Sequence, residues 1–430
     1  MFEEKGENKM SYARKYILPV SCMGVGFFVV LRDVLGFSVS KYIFLLICVI
    51  ALVLMKTEQV ALFLFFLVPL YAGLPGNYLT IFVLVRLGVS FYRERKRREI
   101  SVPLAVFTIG FVAFLFVQNL INGYTLVYHY AICMEICLLF LLSELKIDFS
   151  ARHALTLYAL GTALVGFAAL SVYAGEYSFS AIFSGEIRFG DIYGEGGMRM
   201  TIDPNFLGFH CLCGIALETE AIRRDLTKGI MKRETPVSAL LLIPLVFLGF
   251  IGLSRAFFVC LFLLIFCELL LCARTPKGLM YCLLALGFCA VLGYFVISLH
   301  FSSLFQTLLD RFSLSDIQNA NGRLVLIEKW LWEWLSTAER FLFGVGLFQT
   351  NVHFTALQYL FGLGICGAFF AFGFFYFWTK SVGFCLKKEG LVPFLTVFLM
   401  SCSVPAAASL TAFFPLVAVV MTSDLGNDDI

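Results

Sequence analysis

The polarity pattern of this chain is a series of long apolar runs joined by short polar connections. A helix crosses the hydrocarbon layer of a bilayer with about 20 apolar residues, so runs of that order predict spans. They cover 16–31, 41–55, 59–72, 77–92, 102–121, 125–142, 153–174, 204–221, 237–252, 256–272, 279–299 and 354–378. A last stretch, 391–421, contains Pro405 and Pro415 and is too long for one upright helix and short for two. In hydrocarbon the backbone must satisfy its own hydrogen bonds, which makes each run a helix. The expected fold class is all-α: a polytopic membrane helical bundle of about 12–14 transmembrane helices, one integral membrane domain over 1–430.

Two long polar segments interrupt the runs. Residues 175–203 are rich in glycine and predict a loop with few core residues, closed by Asp203 as N-cap and Pro204 as first-turn proline of the next span. Residues 300–352 carry a helical period from 323 to 340. Ile327, Leu331, Trp334 and Leu335 recur on one side, and Glu328, Lys329, Glu333 and Glu339 on others. Three of the chain's 4 tryptophans, Trp330, Trp332 and Trp334, fall there. Tryptophan favours the headgroup level, so this helix is expected along the membrane surface. Gly344 and Gly346 then loosen the backbone ahead of His353.

Composition agrees with a membrane class. Of 430 residues, 60% are hydrophobic and 14% charged, and the mean hydropathy is +0.90. A soluble domain carries about 25% charged residues. The net charge of +3 is small and by itself says nothing about nucleic acid, which is not expected as a partner; the distribution of charge matters more. None of the 14 cysteines lies in 175–203 or 300–352, so they read as small apolar packing residues. The run 16–31 follows Arg14 and Lys15 without a small-residue cleavage pattern and is expected to be a retained span.

Charge distribution sets the direction. With the N-terminus inside, 22 of the 32 Lys and Arg residues fall on the cytoplasmic side, 9 fall outside, and Arg86 lies within a span. Both polar segments are then external. Of the 9 external cations, 7 are arginines: Arg32, Arg188, Arg199, Arg255, Arg311, Arg323 and Arg340. Guanidinium presents a planar fork to phosphate oxygens and keeps its charge when desolvated, so this set points to anion binding. Salt bridges to external acids such as Glu186, Glu195 and Glu328 are the plainer alternative. Within the membrane, Arg86 and Glu135 fall at similar depth and are expected to pair structurally.

His353 follows the external helix at the point where the chain re-enters the membrane. A histidine accepts a proton near neutral pH. Beside arginines on one membrane face, it points to chemistry on a lipid-borne, phosphate-activated substrate. An interfacial histidine of no chemical consequence is the alternative.

Four features in order resemble the bacterial O-antigen ligase and polymerase superfamily, over roughly 150–380. They are Arg199 with Asp203-Pro204-Asn205 before a span, Ser254-Arg255 at a tight hairpin, and Asn321-Gly322-Arg323 opening a helix. Last come Gly344, Gly346, His353, Gly364 and Gly367. The resemblance implies a metal-independent glycosyltransferase of the bacterial cytoplasmic membrane, with its site on the extracytoplasmic side. It would take polyprenyl-diphosphate-linked oligosaccharides and need no cofactor. It would work among membrane lipids, with chain-length regulator and flippase proteins as partners. Arg323 and Arg255, with Arg199, would stabilise the leaving diphosphate, and His353 would take the acceptor proton. Asn205, Arg311 and Trp330 would complete the substrate contacts. Phe354 stands where the family usually has Asn, Ser or Gln, which favours polymerase over ligase. A lipid-linked oligosaccharide transporter also explains many spans, although no internal repeat is found.

Overall fold

The computed structural model describes residues 2–73, 76–94, 100–122, 126–147, 150–184, 203–228, 232–272, 302–311, 323–347, 349–350, 352, 354–381 and 391–402, with isolated positions between 280 and 294. Among these residues the chain is all-helical, with no strand. α1 (Phe2–Val29) ends in a short π-helical turn, followed by α2 (Lys41–Leu54), α3 (Thr57–Leu67) with a 3₁₀ extension to Gly73, α4 (Gly76–Glu94), α5 (Val102–Asn122) and α6 (Leu126–Glu144). Then come α7 (Ala151–Glu176), the short α8 (Phe179–Ser184), α9 (Pro204–Lys228), α10 (Thr235–Ile251), α11 (Arg255–Cys272) and α12 (Ser302–Arg311). The last are α13 (Arg323–Leu335), α14 (Ala338–Phe343), α15 (Thr355–Ser381) and α16 (Leu391–Ser401).

The described helices follow the apolar runs, while the predicted run 279–299, apart from isolated positions, and the part of 391–421 beyond residue 402 lie outside the described residues. Four stretches, Tyr16–Val34, Val102–Ile121, Ala151–Glu176 and Thr355–Ser381, are long and apolar enough to cross a membrane. Ile109 and Phe262, each 69% exposed, turn large apolar side chains outward. Apolar surface on this scale needs lipid or protein cover.

Glycines and phenylalanines set the closest helix contacts. Between α5 and α15, a Cβ on Gly110 would strike the Phe370 ring, one on Gly373 the Phe107 ring, and one on Gly367 the Phe114 ring. Rings on each helix thus seat over glycines on the other, which lets the two axes approach. The frequent phenylalanines serve this interlocking. Elsewhere, Gly161 of α7 lies directly against the backbone of Phe66 in α3.

Four expectations are corrected. The external helix predicted over 323–340 is two helices, because Thr337 adopts an extended φ of −141° and caps α14 by accepting from the Arg340 N–H. The span predicted over 354–378 is broken inside α15 at Gly364, whose φ of 66° and ψ of −176° leave the helical region. The predicted loop 175–203 opens with the end of α7 and with α8, where Ile182 is buried. Arg86 donates to the carbonyls of Leu52 (3.1 Å) and Met55 (2.9 Å) and to Ser90, so it caps the end of α2 in place of the expected pair with Glu135.

The two ends of the bundle differ in chemistry. At one end, the start of α7, the end of α9 and the start of α10 are tied by Arg152 and Thr235, both bonded to the Asp225 carboxylate. Beside them Arg223 and Arg224 share Glu220, each at 2.7 Å, and Arg223 reaches Glu268 of α11 at 3.2 Å. The other end holds the α10–α11 turn and the start of α15.

Candidate functional site

The first part of the site is a corner between α9 and α11. Asp203 caps α9 as the sequence predicts: its Oδ1 accepts from the Asn205 N–H at 2.7 Å, and its carbonyl takes the Leu207 N–H at 2.9 Å. Pro204 follows in the first turn, where its missing N–H costs nothing. α10 ends in a turn in which Leu253 takes a positive φ of 48° and its N–H bonds the Phe250 carbonyl at 3.1 Å. That turn buries Ser254 completely, and its Oγ donates to Asn205 Oδ1 at 3.0 Å. Arg255, half-buried, opens α11 immediately after. Asn205 therefore locks the two helices together beneath Arg255.

This corner continues into α16 and α15. A Cβ at Gly208 would meet Phe257 at 3.2 Å, Met400 at 3.4 Å and Ser254 at 3.5 Å, so α9, α11 and α16 converge there. The next residue of α16, Ser401, accepts from Thr355 Oγ1 through its carbonyl at 2.9 Å. Thr355 is the first residue of α15, two positions beyond His353.

The second part of the site is the α13–α14 cap over the start of α15. Trp334, Val345, Val352 and Phe361 form a separate apolar cluster, joined by Ile327, Trp330, Leu331 and Phe354. Val352 and Phe354, which flank position 353 in sequence, belong to the same apolar cluster as the α13 side chains. Phe354 is a half-buried packing residue of this cluster. Trp334 also donates from Nε1 to the Phe341 carbonyl at 3.2 Å, fastening α13 to α14.

Under the cap runs a loop with unusual backbone. Gly344 has a φ of 83°, and a side chain on it would collide with the backbone of Gly362 and Gly364. Val345 and Gly346 donate N–H groups to the carbonyls of Phe361 (3.0 Å) and Gly362 (2.9 Å). Gln118, 1% exposed at the end of α5, donates from Nε2 to the carbonyls of Phe343 (2.6 Å) and Gly362 (2.7 Å). A helix broken at membrane depth must have its freed carbonyls satisfied by protein, and Gln118 does this.

Arg255, Asn205, Arg323 and Trp330 are thus described. Arg323, half-buried, is the first residue of α13. Arg311 ends α12. His353 and Arg199 lie outside the described residues. The contacts join the Asn205–Arg255 corner to the start of α15, and α13 to the residues flanking His353. The chain matches no protein-family model, no curated protein and no solved structure.

Sequence reasoning missed Gln118, which looked like one polar residue in an apolar run. Its position near a span end, in a chain with paired glycines at 344 and 364, was the available signal. It also missed Tyr158 and His210, fully buried and hydrogen-bonded at 2.6 Å between α7 and α9.

Proposed function

We propose that this protein is a membrane polymerase of polyprenyl-diphosphate-linked oligosaccharide repeat units, forming O-antigen or capsular polysaccharide. The reading is supported by a chain of contacts: Ser254, next to Arg255, bonds Asn205 of α9, Gly208 of α9 meets Met400 of α16, and Ser401 of α16 accepts from Thr355 at the start of α15. α13, which begins with Arg323, shares an apolar cluster with Val352 and Phe354. With the connections that carry most of the Lys and Arg inside, the end that holds the α10–α11 turn and the start of α15 faces the extracytoplasmic side of a bacterial cytoplasmic membrane.

In the proposed reaction an acceptor sugar hydroxyl attacks the anomeric carbon of the donor. His353 takes the hydroxyl proton as the new C–O bond forms. The bond from that carbon to the diphosphate oxygen breaks, and the polyprenyl diphosphate leaves with the electron pair. Arg255 and Arg323, with Arg199, stabilise the negative charge that builds on it. Arg311 and Trp330 serve the glycan. Chain-length regulator and flippase proteins are the natural partners of such an enzyme.

Incubating the purified protein with a synthetic polyprenyl-diphosphate oligosaccharide tests this directly. Longer glycans and free carrier should appear together; intact donor after prolonged incubation refutes the proposal. Transfer of the glycan to lipid A core or protein, a ligase activity, would show as a single product on an added acceptor. Phe354, half-buried in the apolar cluster that contains Trp334, offers no amide or hydroxyl at this position, which favours polymerase over ligase. A second reading, lipid-linked oligosaccharide transport, draws on the broken α15, since discontinuous helices are common at transporter sites. Deletion would then leave the lipid-linked unit on the inner leaflet.

A further inference from the structure

A polar cleft of about 280 Å³ lies between α13, α14 and the glycine loop. Its walls are Lys329, Trp330 and Glu333 from α13, Arg340 from α14, and Gly344 and Gln349 from the loop. The reaction outlined above uses Trp330 only in general terms and leaves the other side chains without a task.

The charges within the cleft do not cancel. Arg340 is paired with Glu333 across the opening. Lys329 makes no ion pair among the described residues; its ammonium rests 4.9 Å from the centre of the Trp330 ring. One positive charge is therefore left over. The ring supplies the apolar, electron-rich face on which the C–H side of a pyranose stacks. Gln349, Glu333 and Arg340 supply donors and acceptors for hydroxyls. The volume is at the small end of ligand sites, about right for a single ring and too small and polar for a lipid chain.

We propose that this cleft binds an acidic monosaccharide unit of the glycan, its carboxylate at Lys329 and its ring against Trp330. The identity of the ligand as a sugar rests on the glycan-transfer reading; its charge rests on the cleft alone. The chain should therefore handle repeat units that contain a uronic or similar acid, and the cleft should hold that unit while the neighbouring residue reacts.

The test is equilibrium binding to the full-length protein in nanodiscs of phosphatidylcholine, with no donor present. A glucuronate-containing trisaccharide is compared with the neutral glucose-containing trisaccharide of the same linkage. The acidic sugar should bind about tenfold more tightly, and Lys329→Ala should remove that preference. Trp330→Ala should weaken both sugars, and Trp330→Phe should restore them. Lys329→Ala is a surface change, and its size-exclusion profile confirms folding. Equal binding of the two sugars, or an unchanged preference in Lys329→Ala, overturns the proposal. Loss of sugar binding when phosphatidylglycerol is added would assign the cleft to a lipid headgroup and also overturn it. Binding of the acidic sugar by a protein that never consumes donor would keep the cleft and remove the polymerase. Donor consumption without acid preference would do the reverse.

Discussion

The Gln118 amide donates to the carbonyl of Gly362, 2.7 Å away on another helix, at the point where α15 is broken. The ring-over-glycine packing of Phe107 and Phe114 on Gly373 and Gly367 sets the register that makes this contact possible. A packing pattern in the middle of two helices thereby fixes a polar contact at their ends. That contact supports the loop leading to His353.

Replacing Gln118 with leucine should leave the Phe343 carbonyl without this donor, while the Gly362 carbonyl keeps the Gly346 N–H. A buried acceptor left unsatisfied costs about 1–3 kcal/mol, and the thermal transition of the detergent-solubilised protein should fall accordingly. Leucine keeps most of the volume, so packing is not the cause. A transition at the wild-type temperature would show that the broken helix does not depend on this amide.

Gly364→Ala should be more damaging than Gly367→Ala relative to the space each lacks. Gly364 combines a φ of 66° with close contact to Gly344 and Leu342 backbone, whereas Gly367 faces the Phe114 ring, which can shift. A non-glycine residue held in the left-handed region costs on the order of 1–3 kcal/mol before any clash is counted. Thermal melts of both variants, monitored by size exclusion, give the ordering. The reverse ordering would mean that α15 straightens when Gly364 is replaced.

Breaking the Arg152–Asp225 contact with Asp225→Asn should cost about 3–5 kcal/mol, since it strands a mostly buried guanidinium. Replacing both residues by apolar ones of similar size should recover much of the loss. The double-mutant comparison separates the cost of a stranded charge from the worth of the pair. A double variant as unstable as the single one would mean that the pair itself holds the bundle together.

His353→Ala should lower polymer formation by about 10²–10⁴-fold, and Arg323→Ala or Arg255→Ala by about 10²–10³-fold, with membrane insertion retained. Polysaccharide length on gels, alongside membrane-fraction blots, provides the readout. Wild-type-length polymer from cells carrying any of the three changes would remove that residue from the proposed reaction.

The helices were legible because apolar runs of this length favour a backbone that satisfies its own hydrogen bonds. The run predicted over 41–55 became α2 at Lys41–Leu54, and that over 102–121 became α5 at Val102–Asn122. The Asp203 cap was legible for a local reason, since its bond reaches only two residues along the chain. The break at Thr337 was not, because the apolar spacing runs across it while the backbone turns to cap α14. Arg86 was paired with the wrong partner because depth in the membrane says nothing about which helices are neighbours.

Hydrophobic patterning, acting residue by residue against a lipid solvent, dictated the helices, their approximate limits and the candidate side chains. Which helices touch was decided by the fold. Ser254 meets Asn205, Thr355 meets Ser401 and Gln118 meets Gly362 because rings and glycines interlock between helices far apart in the chain. Such contacts depend on shape matching between surfaces, and shape exists only once the helices are packed.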